Sequence, residues 1–304
     1  MGGFMMETAA AADYGYLRDL ILGVSQNVLD PSRDYLFESR LSKVLRHQGM
    51  GRVDELVRCL RTTRNPALEQ AVAEAMTINE TSFFRDQRPF ELLRVELLPQ
   101  LIEARRMTRS LRFWSAACAT GQEAYSLAML LLEHFPLLAG WNLKIEGTDL
   151  NGEVVARAQA GVYHRIEINR GLPARYVVRY FDHLGEEWFV RPEVRKLCHF
   201  RQGNLCGPAL PFRRASDRFD VIFLRNVMLY FGHQTRRTLL AYVHQLLEPD
   251  GILFLGASEQ PADLSLWTPM LAGGTSYYRK AGNEGTREQG NKEATTGLSF
   301  YGNS

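Results

Sequence analysis

The residues best placed to do chemistry lie in LRFWSAACATGQEAYSLAMLLLEHF, Leu111 to Phe135. Leu111–Trp114 has the apolar, aromatic character of a buried strand, and the small residues from Ser115 to Gly121 would let another molecule approach the backbone closely. Tyr125, Leu127, Ala128, Leu131 and Leu132 then repeat with a helical period. Glu123 therefore falls just inside a helix that follows a tight turn. A phosphate-binding turn would offer bare amide groups at that helix start, whereas a carboxylate repels phosphate and suits a cationic or hydroxyl-bearing ligand.

S-adenosylmethionine meets both demands, with positive sulfonium and amino groups and a ribose bearing two hydroxyls. Asp149 ends the next candidate strand, LKIEGTD, where doubly wound folds hold a ribose through an acid. Its separation from Gly121 exceeds the usual dinucleotide spacing, and an acid followed by Leu150 and Asn151 could equally be a helix N-cap. Asn226 follows the strand DVIFLR, either as a ligand-bonding group at the sheet mouth or as a strand-ending turn. In TINETSFFRD, Thr77 to Asp86, the spacing predicts a helix start with Thr77 as cap, Glu80 as capping-box partner, and Phe83 and Phe84 buried. That reading leaves the donors and acceptors of Asn79, Thr81 and Arg85 unexplained.

The elements that must position these residues change character once, near residue 90. Tyr14 to Met76 reads as helices without strands, with Leu20, Leu36, Leu41, Val44, Leu45, Leu56, Val57 and Leu60 forming apolar stripes. A helical connector, Pro89 to Arg106, leads into alternating strands and helices. The strand candidates are Leu111–Ala116, Leu143–Thr148, Asp220–Phe223 and Ile252–Leu255. This alternation predicts an α/β, doubly wound parallel sheet with ligands at the carboxyl ends of its strands. Short runs between about 176 and 201 predict a small antiparallel β-subdomain inserted in it. The expected division is a helical domain over 1–88, a second domain over 89–280 and a flexible tail over 281–304, which is polar and Gly-rich.

With 304 residues, 45% apolar, the chain can bury a sizeable core, and its net charge of +2 exerts no global pull toward nucleic acid or membrane. Cys59, Cys118, Cys198 and Cys206 show neither CxxC nor paired His spacing, which argues against zinc and disulfides and for a reduced cytoplasm. The start lacks the basic and apolar regions of a signal peptide, and the run Leu127–Leu132 stops at Glu133, so no membrane insertion is expected.

TINETSFFRD, FWSAACATGQEAYS, GTDLN, GNL at Gly203–Leu205, FDVIFLRNVMLYF and LLEPDGILFLGASE occur in the order and spacing of the chemotaxis receptor methyltransferases, the CheR family. The resemblance spans roughly residues 14 to 280. It implies a Rossmann-like class I methyltransferase domain with a β-subdomain insert, preceded by an all-α domain. The implied reaction transfers a methyl group from S-adenosylmethionine, without a metal, to glutamate carboxylates on the cytoplasmic helical bundle of chemoreceptors, leaving S-adenosylhomocysteine. By motif position, Asn79, Thr81, Arg85, Glu123, Asp149, Asn204, Leu205, Arg225 and Asn226 would line the cofactor site, with Arg85 and Tyr230 nearest the transferred methyl. Gln122, where an acid is frequent, and Cys118, where a small residue is usual, depart from the common pattern. A basic helix of the all-α domain would lie on the receptor. Arg40, Lys43 and Arg46 fall on one helical face opposite Leu41, Val44 and Leu45, a pattern also expected of a solvated face. The loop in FDHLGEEWFVRPEVRK carries one glycine, Gly185, where members that bind a receptor pentapeptide carry a longer glycine-rich loop, so pentapeptide-independent action is expected, by a cytoplasmic monomer. A fold of this kind could instead methylate RNA or a small molecule, or bind the cofactor without catalysis. No arginine–aromatic patch supports nucleic acid, and Glu123, Asp149, Asn226 and Tyr230 speak against a non-catalytic role.

Overall fold

The structure, a computed structural model, describes residues 2–207, 210–212, 217–261 and 263–282. The expected tail over 281–304 lies almost wholly outside the described residues. Helices α1 (Gly2–Ser25), α2 (Leu36–His47), α3 (Val53–Thr62) and α4 (Pro66–Ala75) make up the first part. Each turns an apolar stripe inward, such as Phe37, Leu41, Val44 and Leu45 of α2 and Val53, Leu56, Val57 and Leu60 of α3. These side chains form one cluster with Leu17, Ile21, Leu68 and Val72. Burying each such side chain stabilises the fold by about 1.5–3 kcal/mol. Asn65 caps α4 by accepting from Leu68 N, and Pro66 starts the helix, where a missing N–H is harmless.

The connector is α5 (Arg88–Leu92), a π-helical turn over Leu93–Leu97, and α6 (Leu98–Ala104). Residues 77–86 ahead of it do not form the expected capped helix. Thr77 Oγ1 donates to Glu74 O at 2.6 Å and Asn79 Oδ1 at 2.7 Å, and Glu80 pairs with Arg170 at 2.6 Å. Phe84, Asp86 and Gln87 take φ of 48°, 63° and 36°, a left-handed backbone that no helix admits. The segment bends this way because both aromatics must enter the core, Phe83 against Tyr163 and Phe181 and Phe84 against Phe90 and Tyr176.

The second part alternates β1 (Ser110–Ala116), α7 (Gln122–His134), β2 (Asn142–Asp149), α8 (Gly152–Ala160), β3 (Val162–His164), α9 (Arg165–Ile168), α10 (Ala174–Tyr180), β4 (Phe181–Leu184), β5 (Glu187–Val190), α11 (Pro192–Arg195), β6 (Cys198–Gln202), β7 (Phe219–Leu224), α12 (His233–Leu246), β8 (Leu247–Leu255), β9 (Trp267–Ala272) and β10 (Thr275–Lys280). Seven strands form one sheet in the order β6-β2-β1-β7-β8-β10-β9, with β1, β2, β6, β7 and β8 parallel and β10 antiparallel to both its neighbours. Successive residues of β1 and β7 feed opposite faces: Phe113, Val221 and Phe223 join one core cluster, Trp114, Ile222 and Leu224 the other. A second sheet, β3-β5-β4, is antiparallel.

Two details differ from the sequence reading. The antiparallel insert recruits its first strand from residues 162–164, before 176, and Cys198–Gln202 is not part of it but pairs in parallel with β2. As an edge strand with only Cys198 buried, β6 has no continuous apolar run to mark it as part of a parallel sheet. The β9–β10 hairpin was also not anticipated, because most of β9 is exposed. Among the described residues, no helix is long and apolar enough to cross a membrane.

Candidate active site

At the carboxyl ends of β1, β2, β6 and β7 a cleft opens, lined by all nine residues proposed for the cofactor site and by Tyr230. β1 ends in a loop whose Ala117 and Ala119 adopt φ of 61° and 47°, and Gly121 takes 93°. Such non-glycine strain persists only where the surroundings over-determine it, and it clusters at ligand sites. A Cβ on Gly121 would come within 2.9 Å of Ala158 Cβ and 3.1 Å of the Phe200 ring, so glycine is required by space as well as by φ.

Glu123 is the second residue of α7. Its Oε1 accepts from Ser115 Oγ at 2.7 Å and its Oε2 from Arg225 Nη1 at 3.2 Å. Burial raises its carboxyl pKa above the usual carboxylate range, while Arg225, Ser115 and the charge of Arg85 oppose the rise. Arg225 is 6% exposed and also donates to Asp86 Oδ2 at 2.5 Å and Arg85 O at 3.2 Å. It thereby locks the 77–86 segment to the end of β7. Arg85 Nη1 in turn donates to Glu80 O at 2.9 Å.

Asp149 Oδ2 accepts from Ala119 N at 2.9 Å and Oδ1 from Asn151 N at 3.0 Å. The α8 cap is Asn151, whose side chain accepts from Glu153 and Val154, so the N-cap alternative for Asp149 does not hold. Instead Asp149 joins the glycine turn to β2, and burial raises its pKa despite those two backbone donors. Asn226 sits at φ 60°, its N–H donating to Glu259 Oε2 at 2.7 Å, and the same carboxylate accepts from Gly256 at 2.8 Å and Leu229 at 3.2 Å. Asn204 Nδ2 donates to Val24 O at 2.7 Å, so its amide ties the end of α1 to the cleft.

The two departures from the common motif have separate environments. Gln122 is buried away from the cleft, accepting from Thr120 Oγ1 at 2.7 Å. Cys118 lines the cleft, but burial and the nearby carboxylates of Asp149 and Glu123 push its thiol well above its ordinary pKa. Of the three basic residues on α2, Arg40 Nη1 donates to the carbonyls of Met76 and Thr77, both at 3.1 Å, and Lys43 pairs with Glu153 of α8 at 2.5 Å. Arg46 is exposed.

Sequence reasoning passed over Ser115, Asp86 and Glu259. A serine at an inward position near the end of a buried strand was the available signal for the first. Glu259, three residues past the strand-ending Gly256, stood in a quoted motif. Asp86 became meaningful only once Arg225 folded onto it.

Residues 79–274 match the family described as CheR methyltransferase, SAM binding domain, and residues 12–77 match CheR methyltransferase, all-alpha domain. The chain is 41% identical over 256 residues to chemotaxis protein methyltransferase 1 of Pseudomonas aeruginosa, covering 83% of this chain and 91% of the relative. The chain belongs to the CheR methyltransferase family. A second relative, chemotaxis protein methyltransferase Cher2 of Pseudomonas putida, is 39% identical over 236 residues, 76% of this chain and 84% of its own. The CheR chain described here is thus an S-adenosylmethionine-dependent methyltransferase of the chemotaxis class. Its cleft suits that cofactor: a small-residue loop admits close approach, Glu123 offers a buried carboxylate to a positive group, and Asp149 puts an acid at the end of β2, the kind of position where doubly wound folds bind ligands.

Proposed function

We propose that the enzyme methylates glutamate side chains on the cytoplasmic helices of chemoreceptors, producing the methyl ester and S-adenosylhomocysteine. The observation that carries this reading is the cleft itself, in which Glu123, Arg85, Arg225 and Tyr230 converge without a nucleophile-and-base pair among its described lining residues. When bound, the cofactor supplies an electrophilic methyl group on a positive sulfur. No residue of the chain has to remove a proton from a carboxylate that is already ionised at neutral pH. The chain's task is alignment and exclusion of water. Glu123 and Asp149 hold the cofactor, Arg85 orients the incoming carboxylate, and Tyr230 hydrogen-bonds near the methyl donor.

The decisive assay is transfer of label from S-adenosylmethionine to membranes carrying chemoreceptors, followed by mild alkali. Release of the label as methanol from a receptor-sized band is expected; base-stable label would overturn the ester assignment. In the same assay Arg85→Ala and Tyr230→Phe should slow transfer while S-adenosylhomocysteine still binds, and normal turnover in both would remove their roles.

Receptor docking falls to the exposed basic face of α2, and pentapeptide tethering is not expected. Between β4 and β5 the chain turns through Gly185, at φ 61°, and Glu186 alone, a hairpin with little room for a peptide-binding loop. Titration with an aromatic, acidic pentapeptide should show no micromolar binding; a micromolar dissociation constant would contradict this.

A further inference from the structure

Val28, Ile78 and Leu229 are aliphatic residues left 53%, 40% and 42% exposed. Aliphatics exposed singly are ordinary on a protein surface, but these three border one hollow, together with the less exposed Leu29, Leu36 and Met76. The hollow adjoins the cleft, since Ile78 and Tyr230 border both.

Each exposed aliphatic stands on backbone that is held in place. Val28 N donates to Tyr230 O at 2.9 Å. Leu229 N donates to Glu259 Oε1 at 3.2 Å, and its carbonyl accepts from Arg236 Nη2 at 3.4 Å. On the two sides of Ile78, the Thr77 carbonyl accepts from Arg40 Nη1 at 3.1 Å and the Thr77 hydroxyl donates to Asn79 Oδ1 at 2.7 Å. A partner that covers these side chains therefore has little backbone left to order. Asp30, Arg33, Asp34 and Arg40 border the same hollow, the mixture of apolar and charged groups usual where proteins bind each other. Asp34 is already paired with Arg18 at 2.5 Å and Arg40 is engaged by the carbonyls of Met76 and Thr77.

The occupant follows from what lies next door. A helix that presents a glutamate carboxylate at Tyr230 carries, on the same face, the residues three and four positions away, about 5–6 Å from that glutamate. Apolar residues at that spacing are the usual anchors of a helix on an apolar groove. Leu36 and Arg40, four apart on α2, border the hollow as well, so it continues the surface assigned above to receptor docking. We propose that the hollow seats an apolar side chain of the substrate helix, three or four residues from the glutamate being methylated, and so helps to select which glutamates are modified. This rests on the reading of the substrate as a receptor helix.

The test uses the full chain with Val28→Ser and Leu229→Ser together, since neither residue borders the cofactor cleft. Rates of methyl transfer against receptor concentration should show the apparent KM raised about tenfold, the scale of two half-exposed aliphatics losing an apolar partner, with kcat at saturation nearly unchanged. The rise should be the same at low and high salt, unlike an effect of the basic face of α2. S-adenosylhomocysteine affinity and melting temperature should stay at their wild-type values, and a fall in either would mark the two side chains as structural instead. On the receptor, replacing apolar residues three and four positions from a methylated glutamate by Gln should raise KM for the wild-type enzyme by a similar factor and add little for the double variant. An unchanged KM, a rise that vanishes at high salt, or enzyme and receptor substitutions whose effects simply multiply would each overturn the proposal. So would a wild-type dimer that the two substitutions dissociate, which would give the hollow to a second copy of the chain. Normal ester formation with an unchanged KM removes the hollow alone, whereas no ester from the wild-type enzyme removes the receptor reading with it.

Discussion

Glu123, between Ser115 and Arg225, responds to pH in a direction that follows from its burial. Its pKa is raised in the free protein, and a positive ligand group favours the ionised form. Affinity for S-adenosylhomocysteine, whose amino group is positive, should therefore be constant above that raised pKa. It should fall as pH drops through it, approaching tenfold per unit. Glu123→Gln should weaken binding by about 2 kcal/mol, roughly thirtyfold, the scale of a charged hydrogen bond. It should also flatten the part of the pH profile that Glu123 supplies; the Asp149 carboxyl, raised as well, would leave a residual slope. Titrations at several pH values check both points, and an unaltered profile in Glu123→Gln would assign the dependence elsewhere. Glu123 was legible because a carboxylate just inside a helix start is chemically unusual. Ser115 and Asp86, which hold its network together, were not, since their roles depend on which strand end and which loop meet in space.

Among the elements, the segment from Thr77 to Gln87 departs most from local expectation. Its composition satisfied a capping box, yet two adjacent phenylalanines cannot both enter a core from one helical face, and burial prevailed over local hydrogen bonding. Ser126 Oγ completes the bend by accepting from Phe84 N at 2.9 Å. Phe83 is fully buried, and Gly171 packs so tightly on its carbonyl that a Cβ there would lie 2.2 Å from Phe83 O. Phe83→Ala should cost about 3–5 kcal/mol of stability. It should also loosen Asn79, Thr81 and Arg85, weakening cofactor binding in protein that remains folded. Chemical denaturation combined with calorimetry measures both, and a loss below 1 kcal/mol would contradict the packing argument.

For the whole molecule, the helical part and the methyltransferase part are joined through polar contacts as well as chain connectivity. Glu74 of α4 accepts from Gly152 N at 3.1 Å and Gln202 Nε2 at 2.7 Å, and Lys43 of α2 pairs with Glu153 at 2.5 Å. Arg40 braces the chain as it enters the cleft, so reversing its charge would disturb the site as well as any docking face. The informative variant is Lys43→Glu with Arg46→Glu. The Lys43–Glu153 pair is exposed and contributes at most about 1 kcal/mol. Loss of receptor attraction should raise the apparent KM for receptor several-fold at low salt and less at high salt, with kcat at saturation nearly unchanged. An unchanged KM would remove the docking role of α2.

The sequence alone determined the strands and helices with strong patterns: Val221–Phe223 and Ile252–Leu255 are buried throughout and read as apolar runs, and Leu111–Ala116 and Leu143–Thr148 carry enough apolar and small residues to mark buried strands despite Arg112 and Lys144. It also marked the carboxylates at the strand ends, since the doubly wound arrangement puts such positions beside a ligand. Only the tertiary structure decided where weakly patterned pieces belong: the half-exposed β6 and the β9–β10 hairpin acquire their places through pairing with strands remote in sequence. It likewise decided that Arg40 and Asn204 serve the backbone. Each of those roles arises from contacts between segments far apart along the chain, which local residue spacing does not encode.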